Sequence, residues 1–234
     1  MSQLIIEEPF WRLFPQAEIG AVVLNHVNNT GGEIAAARLE RANEDAKKWL
    51  TDPVLSQCPA VAVWRQAYTR FKTKKGVRSS IEALLRRVDK GKGVGPINPL
   101  VDLYNAVSLT YGFPCGAEDA DTFDGDLRLT VAAGGDSFLA LGEEADDPTL
   151  PGEVCYLDGS GAVCRCWNWR DGRRTMVTEE SRHVIVVLEY PDGSRRGDME
   201  AAMDELCAAA GELLGAETAH RAILTREAPT LALD

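Results

Sequence analysis

Residues 95–119 read GPINPLVDLYNAVSLTYGFPCGAED, and the local signals in this run frame the rest of the chain. Asn98 suits a helix N-cap, and Pro99 follows at the first helical position, where a missing N–H costs nothing. Leu100, Leu103, Val107 and Tyr111 then recur at helical spacing and face a core. Asn105 lies off that stripe, beside Val101 and Ser108, free to point into a cleft. A sharp loop from Gly112 to Gly116 delivers Glu118 and Asp119. A carboxylate there could hold an ammonium or take a proton from water; loop solvation or capping is the plain alternative.

Upstream, Glu18 to Asn25 has the β-branched content of a buried strand, and Glu33 to Leu50 has the composition of a helix. Pro59 opens another helix through Phe71, and Gly76 releases it into a loop. Ser79 and Glu82 form a capping box that starts a helix over Ile81–Val88. Downstream the period changes to two. DLRLTVA (126–132), SFLAL (137–141), EVCYLD (153–158), AVCRCWNW (162–169) and HVIVVLEY (183–190) read as strands. Asp-Gly pairs at 124, 158, 171 and 192 favour tight turns and antiparallel neighbours. Gly197 to Glu217 returns to helical spacing, and the tail after Arg226 has no assignment. No repeat or linker divides the chain, so the expectation is a single α+β domain over residues 1–234, a mixed, largely antiparallel sheet flanked by helices.

The 234 residues carry a net charge of −11, which argues against nucleic acid until its distribution is read. Between Arg65 and Lys92 ten basic residues face only Glu82 and Asp89, a local excess of eight positive charges on an acidic body. That is either the footprint of a surface that meets phosphate or a solvated helix face. Lys72, Lys74 and Lys75 are its candidate phosphate contacts. Arg78 with Ser79 and Ser80 at a helix start could take a terminal phosphate, or the serines simply cap. Six scattered cysteines point to reduced thiols, and the cysteines and histidines make no metal set, so no cofactor is expected. No apolar stretch reaches membrane-span length and the N-terminus lacks a signal-peptide pattern, so the expected location is the cytoplasm, with no membrane partner.

Cys164-Arg165-Cys166-Trp167-Asn168-Trp169-Arg170 is the most unusual string. On a strand, Cys164, Cys166, Asn168 and Arg170 would share one face and Arg165, Trp167 and Trp169 the other. Trp167 could stack on a base or pack in a core; Arg165 and Asn168 are polar groups that a ligand could satisfy. Neither cysteine has an obvious activating base.

Pro96, Ile97, Asn98, Val101, Asp102, Asn105, Gly112, Pro114 and Asp119 keep, without a gap, the spacing of a run in the editing domain of the phenylalanyl-tRNA synthetase beta subunit, which the chain resembles over about residues 72–190. Thr178-Glu179-Glu180 and the strand after it are similar to a later segment of that domain. The resemblance implies a freestanding aminoacyl-tRNA deacylase that hydrolyses the ester of mischarged tRNA, its partner being the aminoacylated tRNA 3′ end rather than DNA. Asn105 falls on a pocket asparagine of that family and is expected in catalysis together with Glu118 and Asn168, with Arg78, Ser79, Ser80, Asp119, Arg165 and Trp167 around the substrate. Gly116 stands where the family has a histidine, which leaves room for a substrate choice unlike the synthetase's, and a noncatalytic module that keeps the pocket is the rival class. The sequence leaves the amino acid, the tRNA and the oligomeric state open.

Overall fold

The computed structural model describes residues 2–31 and 34–234. Among the described residues, ten strands and six α-helices make an α+β fold. The strands are β1 (Gln3–Ile6), β2 (Glu18–Asn25), β3 (Cys115–Asp119), β4 (Leu127–Val131), β5 (Val154–Leu157), β6 (Ala162–Arg165), β7 (Arg170–Asp171), β8 (Val184–Tyr190), β9 (Glu217–Leu224) and β10 (Thr230–Ala232). The helices are α1 (Glu8–Leu13), α2 (Ala36–Asp45), α3 (Pro59–Ala67), α4 (Ser80–Asp89), α5 (Pro99–Tyr111) and α6 (Arg196–Leu214).

The strands divide between two sheets. One has the order β10-β1-β4-β5-β6-β7, antiparallel except for the parallel β1–β4 pair; the other, β3-β8-β2-β9, is antiparallel throughout. Strand alternation gives β2 and β8 two buried faces. Val22, Leu24, Val184, Val186 and Leu188 pack with Leu100, Leu103 and Val107 of α5 and with Met199, Met203 and Leu206 of α6. Ile19, Ala21, Val23 and Ile185 look the other way, into a core shared with the first sheet and the aromatic residues of α1 and α3. Residues of β8 with odd numbers therefore face the first sheet, which decides where the site lies.

Asn98 caps α5 by accepting from the Val101 N–H, and the helix ends at Gly112 in the left-handed region (φ 68°). A methyl there would also stand 2.8 Å from the Trp49 ring, so two constraints select glycine.

Several expectations are corrected. The predicted Glu33–Leu50 helix begins at Ala36 and tightens to a 3₁₀ turn at 46–49; Glu33 itself lies outside the described residues. The helix from Pro59 stops at Ala67, and residues 137–141 form only an isolated bridge, Ala140 with Gly172. Instead of lying in a loop, Glu118 and Asp119 belong to β3, and the unassigned tail supplies β10 beside β1.

Candidate functional site

A cavity of about 70 Å³ opens between the two sheets. One wall is β3 and β8, contributing Gly116, Glu118, Ile185, Val187 and Glu189; the other is built from Leu127, Tyr156, Val163, Cys164 and Asp171. Ser80, Asn168 and Trp169 reach its edge, and no Lys, Arg or His lines it. In the β3–β8 register Glu118 lies opposite Ile185, four residues from Glu189. At a rise of about 3.3 Å per residue, the two glutamates are roughly 13 Å apart along the strand.

The two carboxyls have different surroundings. Glu118 is 7% exposed, and its Oε2 has no hydrogen-bond partner. Burial, then the neighbouring Asp171 carboxylate, push its pKa well above the usual carboxylate range. Glu189 is 2% exposed and hydrogen-bonded at both oxygens: Tyr156 Oη donates to Oε1 at 2.5 Å and Asn168 Nδ2 to Oε2 at 2.7 Å. Burial raises it to about 7, against the pull of Tyr156, Asn168 and the Trp167 side chain. The cavity thiols of Cys115 and Cys164 are pushed up by burial, which keeps them un-ionised at neutral pH.

Asn168 reaches the cavity through a backbone reversal rather than along a strand. β6 ends at Arg165, and Cys166 (φ 48°) and Trp167 (φ 65°) both adopt left-handed conformations, costly for residues with side chains. The surroundings hold them there. Cys166 N donates to Glu153 and Trp167 N to the Val154 carbonyl, while the Trp167 ring is packed by Phe10, Phe14 and Trp64 at centroid distances of 4.6–4.9 Å. This overturns the expected strand over 162–169 and its two faces. The Trp167 ring is fully buried in the aromatic core and also forms part of the cavity lining.

Arg165 is corrected as well. It is fully buried in a bidentate pair with Glu153 (2.9 and 2.6 Å) and also bonds the Asp147 carbonyl, so its donors serve the fold. Asp119 caps the 3₁₀ turn after β3 and accepts from Ser181, outside the cavity lining. Asn105 is buried in α5 and does not line the cavity, because that helix packs on the far face of the second sheet. Ser79 is the buried N-cap of α4, accepting from Glu82 N; Glu82 does not return to the cap but pairs with Arg65 and Arg86. Ser80 does line the cavity, with its Oγ unpartnered. Of the basic run, Lys74 pairs with Asp147, whereas Lys72 and Lys75 are exposed and Arg78 is half-buried, touching only the Gly76 carbonyl at 3.5 Å.

The structure therefore brings Glu118, Trp167, Asn168 and Ser80 together and adds Glu189, Tyr156 and Asp171, which the sequence reading missed. A signal existed for Glu189: an acid inside the otherwise apolar VIVVLEY strand must be compensated. It carries a stability prediction. With a folded pKa near 7 and an ordinary value of 4.5, ionising Glu189 penalises the folded state increasingly as pH rises from about 4.5 to 7. Glu189→Gln should then raise the melting temperature by a few degrees, about 2–4 °C per kcal/mol, at pH 8, with little change at pH 4.5 in thermal scans.

An α+β chain with an acidic cavity between its sheets is the class that fold and site define. The B3/4 domain profile matches residues 63–205, and the chain belongs to that family. Phenylalanine–tRNA ligase beta subunit of Latilactobacillus sakei is 33% identical over 97 residues, 40% of this chain and 12% of the relative. Its counterpart in Streptococcus pneumoniae is 33% identical over 104 residues, 44% and 13%. The chain thus spans about an eighth of these curated relatives. The crystal structure of an N-terminal fragment of the phenylalanyl-tRNA synthetase beta-subunit from Pyrococcus horikoshii superposes with a TM-score of 0.50 at 10% identity, over 92% of this chain and 49% of the fragment, a likeness of fold. Among the described residues no helix is long and apolar enough to cross a membrane.

Proposed function

We propose that the chain hydrolyses the ester between an amino acid and the 3′ end of a mischarged tRNA. The observation that supports this most is Glu118: a buried carboxylate with an unpaired oxygen, in a cavity without a cationic residue, suits the ammonium of an aminoacyl group. Family membership and relatives named as phenylalanine–tRNA ligases supply the tRNA. Val187, Ile185 and Leu127 form an apolar wall for the amino-acid side chain, and Ser80 at the start of α4 offers a hydroxyl to the ester or the ribose. Asn168 orients the reacting groups, the neighbouring ribose hydroxyl assists the attacking water, and Lys72, Lys75 and Arg78 meet the phosphates outside.

A second reading is a binding module without turnover, which Gly116 favours. It stands in the histidine position of the resemblance, and a Cβ built there meets nothing within 4 Å, so no other side chain has filled that space.

A panel of mischarged tRNAs, with ester loss followed over time, tests both. Hydrolysis of at least one ester about tenfold over buffer supports the first reading, and binding without ester loss supports the second. Uniform stability with no binding would sink both. Charge reversal at Lys72 and Lys75 should lower tRNA affinity and reduce the slope of log affinity against log salt by about 1.5.

A further inference from the structure

The cavity holds two glutamates in contrasting settings, and only Glu118 is used above. The geometry points to Glu189 as the group that takes the proton from the attacking water, with Tyr156, Asn168 and Tyr68 holding its carboxylate in place. This rests on the hydrolase reading of the same cavity.

Tyr156 donates to one Glu189 oxygen and Asn168 to the other, with the Trp167 side chain a further neighbour that lowers its pKa, and the carboxylate keeps a lone pair to meet a water. The Asn168 amide is held in turn. Tyr68 Oη donates to its Oδ1 at 2.9 Å, which directs Nδ2 toward Glu189, and Ser80 N donates to its backbone carbonyl at 3.0 Å. A chain from α3 through the turn after β6 thus ends on β8. Glu118 has no such support at Oε2 and lies roughly 13 Å away along the strand at about 3.3 Å per residue. One carboxylate is left free for a ligand's charge and the other is fixed, the division that binding and proton transfer require.

The groups facing Glu189 are Tyr156 from β5, Cys164 from β6, Trp167 and Asn168 from the turn after it, Asp171 from β7, Tyr68 just after α3, and Cys115 from β3. None is a cation, and burial keeps the phenols and thiols neutral. A base that titrates near 7 combines a sizeable ionised fraction with useful basicity at neutral pH. In the step, the water oxygen bonds to the ester carbonyl carbon as its proton passes to Glu189. The carbon–oxygen bond to the ribose then breaks, and the same proton goes to the departing ribose oxygen. Free amino acid and deacylated tRNA result, with Glu189 restored.

Single-turnover hydrolysis of whichever tRNA ester the panel identifies, measured from pH 5 to 9 for wild type, Glu189→Gln and Tyr68→Phe, is the test. A 3′-amide-linked aminoacyl-adenosine, which cannot be hydrolysed, gives affinity separately. Glu189→Gln should slow turnover by about 10² or more while changing affinity less than about threefold, and should abolish the rise in rate through pH 7. Tyr68→Phe frees the Asn168 amide, so its rate should fall several-fold at pH 7 and its midpoint should move up; a purely structural residue would leave the midpoint in place. Wild-type activity matched by Glu189→Gln, or lost affinity at unchanged turnover, would overturn the assignment of Glu189 alone. A wild-type chain inert toward every ester would overturn it together with the hydrolase reading. Should Glu189→Gln fail to fold, an unmoved midpoint in Tyr68→Phe overturns the assignment and a raised one sustains it.

Discussion

Arg165→Met is expected to destabilise the fold by about 3–5 kcal/mol, because it leaves Glu153 as an uncompensated buried charge. Both side chains are fully buried, and the guanidinium holds both carboxylate oxygens. Glu153 is also the anchor of the turn that presents Asn168, since it accepts from Cys166 N and Leu150 N. Burial alone would raise its pKa, but the hydrogen bonds from Arg165 and Leu150 outweigh it and the pKa is lowered. A lowered folded pKa means that the pair's stabilisation is present above the ordinary carboxylate range and is lost as pH falls through the folded value. Urea titrations at pH 7 and pH 3 should show a large gap between wild type and Arg165→Met at the higher pH that narrows at the lower. A variant as stable as wild type at pH 7 would show that Arg165 is not structural and reopen it as a ligand contact.

Glu118→Gln is expected to weaken binding of the amide-linked aminoacyl-adenosine by about 10- to 100-fold, the cost of losing a hydrogen bond to a charged group. The substituted side chain keeps the shape of the wall and offers an amide oxygen in place of a charge. The pH dependence has a definite sign. Burial favours the protonated acid, so an incoming ammonium must displace a proton, and wild-type affinity should rise with pH while that of Glu118→Gln stays flat. Calorimetry in buffers of different ionisation enthalpy reads the released proton directly. Equal affinity in the two proteins at pH 8 would remove Glu118 from the site.

Most elements were legible where one signal dominated. Asn98-Pro99 fixes the start of α5, and the run of apolar residues from Glu18 to Asn25 gives β2 to the residue. The reading failed where long-range packing overrides local pattern. AVCRCWNW alternates well enough for a strand, but the ring of Trp167 is wanted by Phe10, Phe14 and Trp64, and Glu153 captures the Cys166 N–H, so the chain turns at Cys166. Charge was misread for a related reason. Arg165 and Lys74 look like ligand contacts in a one-dimensional count, yet they meet Glu153 and Asp147, acids brought from elsewhere in the chain. For the site, Glu118 and Asn168 were visible as polar residues in informative strings. Tyr156 and Asp171 were not: Tyr156 meets Glu189 across the gap between the two sheets, and Asp171 enters through the turn at Cys166 that folds β7 back onto β6.

Tyr156 belongs to one sheet and Glu189 to the other, so their short hydrogen bond is also a rivet across the gap. The clearance between the sheets is therefore fastened by the same carboxyl that titrates near neutrality. Because burial raises its pKa, the folded state favours the protonated carboxyl, so the two sheets are fastened there at least cost below neutrality, and each rise in pH through 7 puts a charge into the joint.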